Sequence, residues 1–258
     1  MRTPRSKRLA IDTAGTGDAL VFVHGLGATA SVWEPQIHAF RDRYFTLRYD
    51  LDGSGRSALS GQLSIESWVA DLDDILRANN IGKARFVGHS LGTLILQHFA
   101  VQYPDKVTSL ALLGVNRAPN DQRRQAMRER AEKVLSSGPE AIADAVAKGT
   151  LSPHTFAKRP ELAGFVREML VRQSRDGYAA SCIAASAAKA AAIASIRCPV
   201  LVLSGKEDSV SPPVAGEVFA SELSRGKFLA LDQCGHWHPI EQPSAVNAAL
   251  GEFFKTPL

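Results

Sequence analysis

The sequence predicts an α/β fold: a mostly parallel central sheet flanked by helices, with a helical segment inserted between two of its strands. Three observations carry this. Short β-rich apolar runs alternate with stretches of helical period, the pattern that lays strands in one sheet and helices over both its faces. Most of those runs are apolar nearly throughout, as strands buried on both faces must be. Between about residues 116 and 196 the strand signal stops, and Ala, Arg and Glu recur at helical spacing. Of 258 residues, 45% are apolar and 22% charged, a composition that buries a sizeable core and excludes a disordered or fibrous chain. The expected organisation is one core domain, residues 1–115 and 197–258, with residues 116–196 inserted as a helical cap.

Strands are expected at 20–24 (LVFVH), 44–49 (YFTLRY), 84–88 (ARFVG), 107–113 (VTSLALL), 200–204 (VLVLS) and 227–231 (KFLAL). A helix is expected over 64–80, because Ile65, Trp68, Leu72, Ile75 and Leu76 share one face and Asn79, Asn80 and Gly82 end it. A second helix starts at Ser90 and stops before Pro104, where a proline cannot continue it. A third follows Pro243 and reaches Phe253 and Phe254. No internal repeat is present.

Several function classes are disfavoured at once. No apolar run approaches the roughly 18 to 20 residues of a membrane span, and no signal-like apolar stretch follows the charged N-terminal residues. A cytoplasmic protein with no membrane partner is expected. The net charge of +4 is spread among interleaved acids and bases, so no nucleic-acid partner is expected, and anionic small molecules are mildly favoured. Cys182, Cys198 and Cys234 are odd in number, far apart and without CxxC spacing, which reads as small buried hydrophobes rather than a disulfide framework or a zinc site.

The sharpest signal is Gly88-His89-Ser90-Leu91-Gly92, a G-x-S-x-G run between an expected strand and an expected helix. A serine nucleophile needs a sharp turn that lifts its hydroxyl clear of the backbone, and flanking glycines permit the close approach such a turn requires. A hydroxyl is a poor nucleophile near neutral pH and needs a base that an acid orients. Both partners are expected after later strands. Asp208, in Gly205-Lys206-Glu207-Asp208, is the candidate acid, with Glu207 the competing carboxylate. Of the two histidines in Cys234-Gly235-His236-Trp237-His238, His236 is the candidate base, because Gly235 lets its loop turn back over the sheet edge. His238 is left behind the base or on the substrate side.

The oxyanion formed by attack on a carbonyl needs backbone N–H donors. Leu91, directly after the nucleophile, and Leu26, in the glycine-rich loop His24-Gly25-Leu26-Gly27, are the candidates. His24 is read as a residue that holds this loop, and Gly53-Ser54-Gly55 as a tight turn braced by Asp50 rather than a phosphate cradle. Candidate substrate-binding residues are Trp33, Trp237, His238, Met127 and Arg124, the last from a helical run of arginines that also faces solvent. No metal or cofactor is expected.

The runs HGLG, GHSLG, GKEDSVSPP and CGHWHPIEQP, in this order and at these intervals, resemble the α/β-hydrolase superfamily over nearly the whole chain. The short length, the helical insertion and the run from Gly177 to Cys182 leading to Cys198-Pro199 resemble 3-oxoadipate enol-lactonases and related small serine esterases. Three segments depart from that pattern: Asp52 stands where an arginine is usual, Thr150-Leu151-Ser152-Pro153 where a Trp-Phe pair is common, and Trp237 and His238 where the loop is usually small and polar. The resemblance implies a cofactor-independent hydrolase of a small carboxylic ester or lactone, anionic substrates included, and is compatible with a homo-oligomer. Alternatives are a carbon-carbon bond hydrolase or perhydrolase of the same fold, and a ligand-sensing receptor that retains the triad.

Overall fold

The computed structural model describes residues 8–255. The first seven residues of the charged N-terminal segment lie outside the described residues. One sheet holds β1 (Ile11–Ala14), β2 (Ala19–Val23), β3 (Phe45–Tyr49), β4 (Ala84–His89), β5 (Val107–Leu113), β6 (Val200–Gly205) and β7 (Gly226–Leu231), in the spatial order β1-β3-β2-β4-β5-β6-β7. β1 runs antiparallel to β3, with Ile11 opposite Tyr49, and the remaining neighbours are parallel. β1 is the strand the sequence did not announce. Its four residues, IDTA, are short and partly polar, and they become a strand because β3 offers an open edge.

Side chains of successive strand residues point to opposite faces. Val21, Val23, Leu110, Leu112, Val200 and Val202 enter one core, while Leu20, Phe22, Ala111, Leu113, Leu201 and Leu203 enter the other. Two buried faces explain the unbroken apolar runs. Between β2 and β4 lie α1 (Glu34–Phe40) and α2 (Ile65–Ala78); α3 (Leu91–Gln102) follows β4. α2 starts with a reciprocal cap, in which the Ser64 hydroxyl accepts the Ser67 N–H and the Ser67 hydroxyl accepts the Ser64 N–H. It buries Trp68, Leu72, Ile75 and Leu76 in the first core.

Residues 116–196, between β5 and β6, contain no strand. They form α4 (Asp121–Ser137), α5 (Glu140–Thr150), α6 (Pro153–Lys158), α7 (Pro160–Val171) and α8 (Arg175–Ala187). α4 packs along α8, and α5 along α7. After β6 come α9 (Pro213–Ser221), then, beyond β7, α10 (His238–Glu241) and α11 (Pro243–Lys255). α11 closes the second core with Val246, Leu250, Phe253 and Phe254, the last ring 6.1 Å from that of Phe40 on α1. Among the described residues no helix is long and apolar enough to cross a membrane.

The sheet order places the site. From β2 the chain moves to one side to make β3 and returns to the other side to make β4. Where direction reverses, the loops leaving neighbouring strands diverge and open a crevice at their carboxyl ends. The loop after β2 and the Ser90 turn after β4 flank that crevice.

Candidate active site

β4 ends at His89 and α3 begins at Leu91, so the chain turns from strand to helix at a single residue. Ser90 is held there at φ 51° and ψ −116°, a conformation that costs a residue with a side chain on the order of 1–3 kcal/mol. Its N–H is tied to the Leu113 carbonyl at 2.9 Å. A β-carbon on Gly92 would collide with the Val23 carbonyl, so only glycine lets α3 start this close to β2. The turn leaves the Ser90 hydroxyl 2.9 Å from His236 Nε2. The next residue, Leu91, stands at the helix N-terminus, where backbone donors have no intrahelical acceptor.

His236 Nδ1 lies 2.9 Å from Asp208 Oδ2, so the imidazole spans Ser90 and Asp208. Asp208 comes three residues after β6, and its other oxygen accepts the N–H groups of Val210 and Ser211 at 2.8 Å each. Burial opposes its ionisation, but the neighbouring His236 and His238 rings and these hydrogen bonds prevail and pull its pKa down to about 2. Glu207, the competing carboxylate, is exposed.

The His236 loop is clamped from several sides. His236 donates its N–H to the Thr150 carbonyl at 2.7 Å, and its own carbonyl accepts from His89 Nε2 at 2.7 Å. Trp237 Nε1 donates to Thr150 Oγ1 at 2.7 Å. Glu241, buried beneath the loop, accepts the N–H groups of Gly235, Trp237 and Ser152 at 2.9 to 3.1 Å. The end of α5 and the loop before α6 thus form part of the scaffold that holds the histidine.

A cavity of about 310 Å³ opens over Ser90 and His236. Leu26, Leu91, Met127 and Trp237 line it, as do Arg117, Arg123 and Arg130, and no Asp or Glu does. Arg117 is paired with Glu222 at 2.6 Å, and Arg123 donates to the Val210 carbonyl. Arg130 stands beside the Tyr178 hydroxyl, and no carboxylate pairs with it among the described residues. Among those residues no cluster of three or more His, Cys, Asp or Glu is arranged to hold a metal.

A family model described as the alpha/beta hydrolase fold matches residues 18–243. The chain belongs to the α/β-hydrolase family. It is 30% identical over 257 residues to 3-oxoadipate enol-lactonase 2 of Acinetobacter baylyi, covering 98% of this chain and 95% of that protein. A thermophilic esterase from Thermogutta terrifontis superposes with a TM-score of 0.92 at 28% identity, covering 96% of this chain and 93% of that one. The enol-lactonase from Burkholderia xenovorans superposes with a TM-score of 0.88 at 25% identity, covering 96% of each chain.

Three expected substrate-binding residues of this α/β hydrolase lie elsewhere. Trp33 ends a short 3-10 helix (Ala30–Trp33) whose buried face packs into the second core, and it is fully buried there, its ring 5.2 Å from that of Phe22 and 6.5 Å from His89. Arg124 donates to the carbonyls of Ser186 and Ala188 and so satisfies the C-terminal end of α8. His238 is fully buried behind Asp208, where its Nε2 accepts the Gly205 N–H at 2.8 Å. Burial lowers its pKa to about 4, and the ring is neutral near pH 7. It is therefore a support for the strand end and not part of the cavity wall.

The braces read from sequence do hold the loops. His24 Nε2 accepts the Leu51 N–H at 2.9 Å, which leaves Nδ1 to donate to the Gly25 carbonyl at 2.8 Å. Asp50 accepts the N–H groups of Ala30 at 2.6 Å and Arg56 at 3.0 Å, with the Arg56 side chain at 3.0 Å. Asp52, in place of the usual arginine, accepts the Ser60 N–H at 2.9 Å. Sequence reasoning missed Asn116 and Glu241. Neither lies in a recognisable motif of its own, although Asn116 follows the end of β5 and Glu241 lies in the run that carries His236.

Proposed function

We propose that this α/β hydrolase is a serine hydrolase of a small carboxylic ester or lactone, acting through an acyl-enzyme intermediate. One observation carries the reading: Ser90 Oγ to His236 Nε2 and His236 Nδ1 to Asp208 Oδ2, both at 2.9 Å, form a continuous relay at the floor of the cavity. Ser90 attacks the carbonyl carbon as its proton passes to His236, and Asp208 stabilises the imidazolium. The oxyanion is bound by the N–H groups of Leu26 and Leu91. His236 then gives its proton to the leaving alkoxide, and water activated by the same ring hydrolyses the acyl-enzyme. In a lactone the leaving alcohol stays attached to the acyl chain until that second step.

Residues 116–196 act as a cap over Ser90, with Met127 and Trp237 as apolar wall against the substrate. Arg130, without an acidic partner, favours a substrate that bears a second, free carboxylate. The enol-lactonase and esterase names of the relatives support ester or lactone chemistry for this chain. The test is a time course of the purified protein and its Ser90→Ala variant on 4-nitrophenyl acetate and 3-oxoadipate enol-lactone. Multiple turnover lost in the variant is expected. A well-folded protein that releases product once and stops instead indicates a ligand sensor.

A further inference from the structure

We propose that Asn116 is a further catalytic residue, which acts on the Ser90 oxygen as that oxygen leaves the acyl-enzyme; the proposal rests on the serine-hydrolase reading above. Asn116 stands three residues beyond β5, at the same sheet edge as the nucleophile. Its N–H donates to Thr93 Oγ1 at 3.0 Å and its carbonyl accepts from Gln97 Nε2 at 2.8 Å, so α3, which begins beside Ser90, fixes its backbone. The side chain lies between two hydroxyls, with Nδ2 3.1 Å from Ser90 Oγ and Oδ1 3.1 Å from Ser211 Oγ.

Proton counting sets the amide's orientation. The Ser90 hydroxyl has one proton, and the base role of His236 requires that it point to Nε2. Oγ accepts from its other neighbour, which is therefore the amide NH2. Ser211 donates to the Asn116 oxygen, and its own N–H holds Asp208 Oδ1 at 2.8 Å. Ser90, Asn116, Ser211, Asp208 and His236 thus close a ring of hydrogen bonds. The proton relay runs along one side, and Asn116 with Ser211 forms the other.

A donor at Oγ acts unequally on the two half-reactions. In acylation Oγ starts as a hydroxyl oxygen, already a good acceptor, and its electron pair is drawn into the new bond to carbon, so the Asn116 donor gains little. In deacylation Oγ starts as an ester oxygen, a weak acceptor. The bond from water oxygen to carbon forms, the C–Oγ bond breaks, the electron pair stays on Oγ, and the proton on His236 Nε2 moves to it. The charge growing on Oγ strengthens its bond to the Asn116 N–H, and an interaction stronger in the transition state than before it accelerates that step alone.

The experiment is stopped-flow product release by the wild type, Asn116→Ala, Ser211→Ala and Ser90→Ala, on whichever ester or lactone the wild type turns over. Asn116→Ala is expected to show a burst approaching one equivalent, with kcat and KM falling together by about tenfold and kcat/KM changing by less than about threefold. Ser211→Ala, which frees the amide to rotate, is expected to show the same pattern more weakly. It also carries the test if Asn116→Ala does not fold. Loss of kcat/KM in step with kcat and without a burst assigns Asn116 to alignment alone and overturns the proposal, as do wild-type kinetics in the variants. Turnover surviving in Ser90→Ala removes the serine-hydrolase reading itself. An inactive Ser90→Ala beside wild-type Asn116→Ala removes only the role given to Asn116.

Discussion

At Asp208, burial and hydrogen bonding compete over one carboxylate, and the outcome decides which state His236 meets. The two N–H donors and two imidazole rings around it outweigh its desolvation, so it stays ionised far below neutral pH. Asp208→Asn keeps the volume but places an amide against His236 Nδ1, which forces the ring's proton onto Nε2, the nitrogen that accepts from Ser90 in the proposed mechanism. A loss of about 10³ to 10⁴ in kcat is expected, together with a lower melting temperature at neutral pH, because the fold stabilises the ionised carboxylate that Asn removes. Glu207→Gln, at an exposed position, is the control; a larger loss there than in Asp208→Asn would show that the acid is misassigned. Arg130 makes a prediction of a different kind. Arg130→Met is expected to lower kcat/KM about tenfold for an ester bearing a free carboxylate and to leave a neutral ester unaffected, with the difference shrinking as salt is added. Equal effects on both substrates would remove its role in recognising charge.

Among the elements, the clearest case is the His236 loop, whose geometry depends on a carboxylate outside the relay. Glu241, on α10, receives N–H groups from the loop itself and from Ser152 in the segment between α5 and α6. Glu241→Ala leaves three inward N–H groups without an acceptor and is expected to cost about 3 kcal/mol or more of unfolding free energy, read by urea titration. Activity should fall with it, because His236 loses its support. Stability within 0.5 kcal/mol of wild type, in the range of about ±0.5 kcal/mol typical of surface changes, would show that water replaces the carboxylate. The elements differ in how openly the sequence announces them. α2 was legible because Ile65, Trp68, Leu72, Ile75 and Leu76 repeat on one face, and the central parallel strands because both their faces are buried. β1 was not, since four residues with only partial burial leave no pattern to read.

The whole molecule holds several buried histidines, and this sets its response to acid. Burial lowers the pKa of His24 and His89, and takes that of His238 from 6.5 to about 4. The unfolded chain therefore binds more protons than the folded one between those values, and acidification through that window favours unfolding. His238 alone is expected to remove about 2 kcal/mol of stability between pH 7 and pH 5. Asp208 acts below this window: its contribution is intact above its ordinary pKa of 3.8 and is lost only as the pH falls toward about 2. Urea unfolding at pH 7 and pH 5 checks this, and a flat profile would mean that the histidines titrate alike in both states. At this scale the division between sequence and structure is physical. Local pattern sufficed for the α/β architecture and for the strand-to-helix turn at Ser90, because apolar period and glycine placement act between near neighbours; it offered Ser90, Asp208 and His236 only as candidates, each at the end of a strand. Tertiary structure alone decided that Trp33, Arg124 and His238 are supports, that Arg130 faces the cavity, and that Asn116 and Glu241 join the site. Those assignments depend on which side chains from distant segments meet at the sheet edge, and no spacing along the chain encodes such a meeting.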